Sequence, residues 1–269
     1  MQRFGDRIAY GVTLNEPNLP RLLSWMNRPA VVDELERATL QAASEAADVP
    51  RYRLGNVVLP EEMDLVEDGL TEAHRAGRTA IKARRAELPV GFSLAVTDDV
   101  VVGDDATVRD RKRAECYTRW LELARDDFLG VQNYERVPYD GQGIVPPPEG
   151  AAVNLGSTVI EPLSLAGAVR YAHSVAGVPV LVTEHGMGTP DDTLRAAFLE
   201  PSLRGLLDVI EEGVPVLGYC HWSLMDNFEW ISGYAYQFGL HEVDRETFAR
   251  TPKRSAAVYA EIARANAVA

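Results

Sequence analysis

Two glutamates stand at points where apolar runs of this chain give way to turns. One closes the stretch Thr13-Leu14-Asn15-Glu16-Pro17, the other the stretch Thr183-Glu184-His185-Gly186. Two carboxylates facing one cavity suit glycoside hydrolysis. One protonates the departing oxygen while the other attacks or stabilises the anomeric carbon. A lone strand-end glutamate is more often a solvated edge residue, so the pair needs support from elsewhere in the chain. The run from Gly218 to Trp230 supplies it. Sugars are held by aromatic faces packed on C–H surfaces and by carboxylates or amides that grip hydroxyl pairs. Trp222, Glu229 and Trp230 offer those groups within one apolar run and the loop after it. Two neighbouring tryptophans are more often core than ligand platform. With Asp226, Asn227 and Glu229 interleaved, however, a wholly buried apolar role is costly.

The elements that must position these groups follow from the pattern of apolar residues. Candidate strands run from Ile8 to Leu14, Val90 to Val96, Phe128 to Tyr134, Val178 to Thr183 and Val214 to Trp222. Helical periodicity covers Glu61 to Glu87, Thr107 to Arg125, Glu161 to Ala176 and Asp191 to Glu212. A last helix is expected from about Pro252 to Asn266, with Thr251 as N-cap and Pro252 at its first position. Continuous apolar strands separated by helices of this length indicate parallel βα units in an α/β fold. Three stretches read as loops: 15–60, with a helix around Ala30 to Ala47, then 135–156 and 226–250. All three follow the C-terminal ends of strands, where a (β/α)₈ barrel builds its active site. An open doubly wound sheet uses strand ends too, so position alone does not choose between them. No Gly-x-Gly-x-x-Gly occurs, which weakens a nucleotide-binding reading.

The bulk properties set outer bounds. The 269 residues are read as a single domain over 1–269, large enough to bury a substantial core. A formal net charge of -13 argues against nucleic-acid and anionic-membrane partners, both of which need a basic surface. Cys116 and Cys220 fit no metal-ligand spacing and are expected to be reduced thiols. No run reaches the length of a membrane span, and the polar start Met1-Gln2-Arg3-Phe4-Gly5-Asp6-Arg7 is unlike a signal peptide, so a cytoplasmic location is expected.

The motifs carry a more specific likeness. Thr13-Leu14-Asn15-Glu16-Pro17 resembles the Thr-x-Asn-Glu-Pro motif of family 1 glycoside hydrolases. Thr183-Glu184-His185-Gly186 resembles their Thr-Glu-Asn-Gly motif. The segment His221-Trp222-Ser223-Leu224-Met225-Asp226-Asn227-Phe228-Glu229-Trp230 is similar to their His-Trp-Ser-Leu-x-Asp-Asn-Phe-Glu-Trp stretch. Phe238-Gly239-Leu240, Arg250-Thr251-Pro252-Lys253 and the opening Arg3-Phe4-Gly5-Asp6-Arg7 extend the likeness over nearly the whole chain. The resemblance implies a retaining β-glycosidase with Glu16 as acid/base and Glu184 as nucleophile. It further implies that Asn15 holds the sugar 2-hydroxyl and that Tyr134 donates a hydrogen bond to the nucleophile. Glu229 would hold the outer hydroxyls with Trp230 beside it at the substrate, Trp222 would be the sugar platform and Phe238 a wall near the hydroxymethyl group. No cofactor or metal is implied, and the substrate would be a small β-glycoside or oligosaccharide. Like charges about 5 Å apart resist joint ionisation, so Glu16 is expected to hold its proton until Glu184 is esterified.

The chain also departs from that family. His185 and Gln132 stand where Asn is usual. The family's first three βα units precede the Asn-Glu-Pro strand, and with them go an early Gln, a His-Trp pair and an Arg that contact the sugar or nucleophile. The expectation is a partial (β/α)₈ TIM barrel of about five parallel strands with helices. Five strands cannot close an eight-stranded barrel, so completion by self-association or by a complementing N-terminal half is expected. A sugar-binding or structural half-barrel without turnover is the competing function.

Overall fold

The structure, a computed structural model, describes residues 4–26, 30–55 and 57–268. Met1, Gln2 and Arg3, part of the polar opening and of the Arg3-to-Arg7 segment, lie outside the described residues. In chain order the elements are β1 (Gly11–Asn15), α1 (Leu19–Ser24), α2 (Ala30–Ala46), α3 (Met63–Lys82), β2 (Val90–Ala95) and β3 (Asp98–Val101). There follow α4 (Thr107–Arg113), a π-helical stretch (Ala114–Thr118), α5 (Arg119–Leu123), β4 (Leu129–Asn133) and β5 (Arg136–Tyr139). The chain ends with α6 (Ser164–Ala176), β6 (Val180–His185), α7 (Asp192–Glu211), β7 (Val216–His221), β8 (His241–Val243), β9 (Arg250–Pro252) and α8 (Arg254–Ala265).

The expected α/β architecture of five parallel strands with helices is what forms. The chain makes two compact units, 1–95 with 111–130, and 96–110 with 131–269. In the first, β1 and β2 pair in parallel, Gly11 opposite Val90, and β4 begins beside β2. In the second, β4 continues beside β6, and β6 pairs in parallel with β7. Strands β2 and β4 are buried at every position, as near-continuous apolar runs between helices require.

In the first unit α3 covers β1 and β2, and Phe92 packs edge-on against both His74 and Trp120. Space between strands is tight here. A Cβ on Gly91 would sit 2.2 Å from the carbonyl oxygen of Phe128. In the second unit α6 and α7 pack on each other and α7 on α8. Helix α6 ends at Gly177, whose φ of 70° lets its N–H reach back to the carbonyl of His173.

Three expectations are corrected. The final helix begins at Arg254, not at Pro252, and Thr251 is no N-cap. Thr251 and Pro252 belong to β9, which pairs antiparallel with β8, Thr251 opposite Glu242. The first turn of α8 is capped from a distance instead: Asp192, at the start of α7, accepts from the Ser255 N–H at 2.8 Å and from its hydroxyl at 2.6 Å. Two of the three stretches read as loops, 135–156 and 226–250, hold short strands. β5 pairs in parallel with β3, and β8 and β9 form their own ladder. The helix expected over Thr107 to Arg125 is interrupted by the π-helical turn.

Gly91→Ala is expected to lower stability by about 1–3 kcal/mol, because a new methyl must displace a backbone carbonyl rather than a flexible side chain. Urea unfolding of the two proteins checks this, and an unchanged midpoint would show that β2 and β4 separate freely.

Candidate active site

Glu184 lies near the end of β6, where the β6–β7 register shifts between Val182 and His185. The turn after it is set by space rather than by handedness. A Cβ on Gly186 would fall 2.0 Å from the carbonyl oxygen of Trp222, so the glycine lets the two strand ends close up. The Trp222 N–H donates to the His185 carbonyl at 2.9 Å, and the Trp222–Ser223 peptide is cis.

The Tyr134 hydroxyl donates to Glu184 Oε2 at 2.6 Å. The residue before it makes that contact reproducible. Asn133 is buried, and its amide donates to the carbonyls of Val96 and Glu135 and accepts from the Ser164 hydroxyl at 2.8 Å. Phe238 stands edge-on to Tyr134, with ring centroids 5.6 Å apart. A Cβ on Gly188 would come within 3.0 Å of that phenyl ring. Burial raises the Glu184 carboxyl above its ordinary range, and the charge of Glu229 adds to the rise. The Tyr134 hydrogen bond works in the opposite direction. The sequence placed the retained proton on Glu16 and gave no sign that burial acts on Glu184.

Trp222 donates its indole N–H to Glu229 Oε1 at 3.3 Å, so the expected platform and the expected hydroxyl-binding carboxylate are joined. Trp230 is 73% exposed beside them in sequence, at a φ of 50°. Two ties fix this loop. Asp226 receives Lys253 Nζ at 2.7 and 2.9 Å and the Gly239 N–H at 2.8 Å. Arg195, fully buried on α7, reaches the carbonyls of Thr189 and Gln237 and pairs with Asp192 at 2.6 Å. The structure thus gathers Tyr134, Glu184, Phe238, Trp222 and Glu229 in the second unit. Arg195 and Asn133 were missed. A single Arg on a helix carries no sequence signal, whereas Asn133 sits in the Phe128-to-Tyr134 run already singled out.

Behind Glu184, Tyr219 bridges two imidazoles, 2.9 Å from His185 Nδ1 and 3.1 Å from His221 Nδ1. His185 is wholly buried and stacks on Phe198, and burial brings it down to about 3. Burial, with a smaller contribution from Arg195, brings His221 down to about 4.

Asn15 and Glu16 belong to the first unit, at the C-terminal end of β1. Glu16 has a φ of 45°, unusual for a non-glycine residue. Its N–H donates to Ser93 O at 2.9 Å. Asn18, fully buried, clamps Ala95 through both its N–H (3.2 Å) and its carbonyl (2.8 Å). Among the described residues no group of three or more His, Cys, Asp or Glu is placed to hold a metal ion, and no helix is long and apolar enough to cross a membrane.

The comparisons with known proteins agree with this layout. Residues 152–268 match the model of glycosyl hydrolase family 1. β-Glucosidase 47 of Arabidopsis thaliana is 27% identical over 96% of this chain, which spans 56% of that protein. The solved β-glycosidase BGL167 superposes with a TM-score of 0.87 at 39% identity, over all of this chain and 65% of its own. β-Glucosidase 1317 gives 0.88 at 33% identity, over 97% of this chain and 64% of its own. The chain therefore spans a little over half to about two thirds of the relatives it matches. Fold and strand-end site define a partial TIM barrel of the glycosidase type. Within that class the chain is similar to glycosyl hydrolase family 1, and it corresponds to the C-terminal portion of its longer relatives.

Two outcomes are expected. Tyr134→Phe removes the one contact that favours the charged form, so the Glu184 carboxyl should titrate higher still, as followed by carbon-13 NMR of labelled glutamate. The imidazoles of His185 and His221 are held below their unfolded value of about 6.5. The unfolded chain therefore takes up protons there before the folded one does. Stability should be complete above about pH 6.5 and fall as the pH drops toward 4 and then 3. Thermal midpoints across that range check the sign, and His185→Asn should flatten the slope.

Proposed function

We propose that this chain carries the catalytic carboxylates of a retaining β-glycosidase acting on small β-linked glycosides or oligosaccharides. The observation that carries the reading is the 2.6 Å hydrogen bond from the Tyr134 phenol to a partly buried Glu184, with the Trp222–Glu229 pair in the same unit. Glu184 attacks the anomeric carbon while Glu16 gives its proton to the departing oxygen. A glycosyl ester and a free alcohol result. Water then attacks the ester carbon of the sugar, Glu16 takes the water's proton, and Glu184 leaves as carboxylate. Atoms and charge balance with two carboxylates and water, so the reading calls for no cofactor or metal. Relatives bearing the name β-glucosidase support a glucoside as first substrate. The five-stranded sheet supports completion by a second copy or by a complementing N-terminal half.

The test is hydrolysis of p-nitrophenyl β-D-glucoside and β-D-galactoside by the chain, with Glu184→Gln as control and the anomer of the product read by NMR. We expect turnover with retained configuration that falls by about 10⁴-fold or more in the variant. Turnover that survives Glu184→Gln would overturn Glu184 as the nucleophile, and none in the unaltered chain would replace catalysis with a sugar-binding or structural role.

A further inference from the structure

The first unit holds a buried polar chain that the catalytic reading does not use. Thr13 lies at the middle of β1, three residues before Glu16. Its hydroxyl is 2.6 Å from His74 Nδ1 and 3.2 Å from the Gly91 carbonyl. The hydroxyl thus lies within hydrogen-bond distance of the imidazole and of the β2 carbonyl at once, and ties β1 to both. His74 is 1% exposed, and its Nε2 lies 2.7 Å from Asp126 Oδ2. Arg78 Nε is 2.8 Å from the other oxygen of Asp126. The adjacent Asp127 receives the N–H of Val90 at 2.9 Å and pairs with Lys82 at 2.6 Å. His74, Arg78 and Lys82 recur every four residues and so form one stripe of α3. That stripe is riveted to the Asp126-Asp127 corner just before β4, which also holds the first residue of β2, and His74 carries the connection on to β1.

What lies beyond Thr13 explains why such a connection matters. Glu16 occupies the left-handed region, where a side chain persists only when its surroundings over-determine it. On the side of β2 it is held by Ser93 and by Asn18 on Ala95. On the side of α3 the anchor is Thr13 on His74.

We propose that Thr13 and His74 are positioning residues for Glu16, fixing the strand end from which its carboxyl acts. The inference rests on Glu16 being the acid/base. A misplaced acid harms only reactions whose leaving group needs a proton. The ratio kcat/KM reports the steps up to the glycosyl-enzyme. For cellobiose it should fall about 10-fold in Thr13→Val, which keeps the side chain's shape and leaves His74 on Asp126. For 2,4-dinitrophenyl β-glucoside, whose phenolate departs unaided, it should change less than about 3-fold. Thr13→Ser, which keeps the hydroxyl, should restore the cellobiose value. Equal losses on both substrates, tracking the thermal midpoint, would overturn the proposal and leave a merely structural contact. If the unaltered chain turns over neither substrate, the glycosidase reading fails by itself. Hydrogen exchange then decides the positioning: the peptide holding residues 11–18 should exchange several-fold faster in Thr13→Val while α3 stays protected, and unchanged exchange would overturn it.

Discussion

A carboxylate held partly out of water at the end of β6 sets the terms for the rest of the second unit. Burial disfavours its charge, and Glu229 adds repulsion. A hydrogen bond to an ionised group contributes about 1.5–3 kcal/mol, so the phenol of Tyr134 is the main local compensation. Its value depends on a 2.6 Å distance being kept. That explains why the neighbouring residues are fastened so heavily. Asn133 is tied to three backbone or side-chain partners, and Phe238 wedges the Tyr134 ring from the side. Arg195 and Asp192 then secure the segment before Phe238 to the head of α8. A buried guanidinium is tolerated there because a carboxylate and two carbonyls receive it.

The first unit solves a related problem with different means. Its strand end carries a glutamate in a backbone conformation that side chains resist, and hydrogen bonds from β2 and α3 hold it there. In both units the holding is done by side chains tied to backbone groups and to one another, His74 and Asn18 in the first and Asn133 and Arg195 in the second, all of them buried. The two strategies differ in what they spend. Around Glu184 the strain is electrostatic; at Glu16 it is torsional.

Much of this was legible in the sequence. The five sheet strands were found within two or three residues of their ends, because each is a continuous apolar run with no competing helical period. The carboxylates were legible as strand-end residues, and Tyr134, Trp222, Glu229 and Phe238 through motif likeness. The misses share a cause. β5 reads Arg136-Val137-Pro138-Tyr139 and β9 reads Arg250-Thr251-Pro252, too short and too polar to show a period of two. Thr251-Pro252 looks like a helix start in any window that omits its partner Glu242, and only the ladder overrides that local signal. Distant caps such as Asp192 on Ser255 are invisible to local patterns, as is the value of Gly186, which depends on a carbonyl thirty-six positions away.

The raised Glu184 carboxyl has a consequence for the proposed mechanism. A nucleophile must be ionised to attack, so a site that makes ionisation costly works against itself in the free protein. The cost changes sign as the glycosidic bond stretches, because positive charge gathers on the sugar ring a short distance from the carboxylate. An anion poorly solvated before reaction gains more from that developing charge than one already stabilised by water. Tyr134 tempers the effect by keeping the charged form accessible. Glu229, whose negative charge opposes ionisation of Glu184 in the empty site, is the residue that sugar hydroxyls would engage. Hydrogen bonds from those hydroxyls would draw its charge away from Glu184, so substrate binding itself would relieve part of the penalty before any bond breaks.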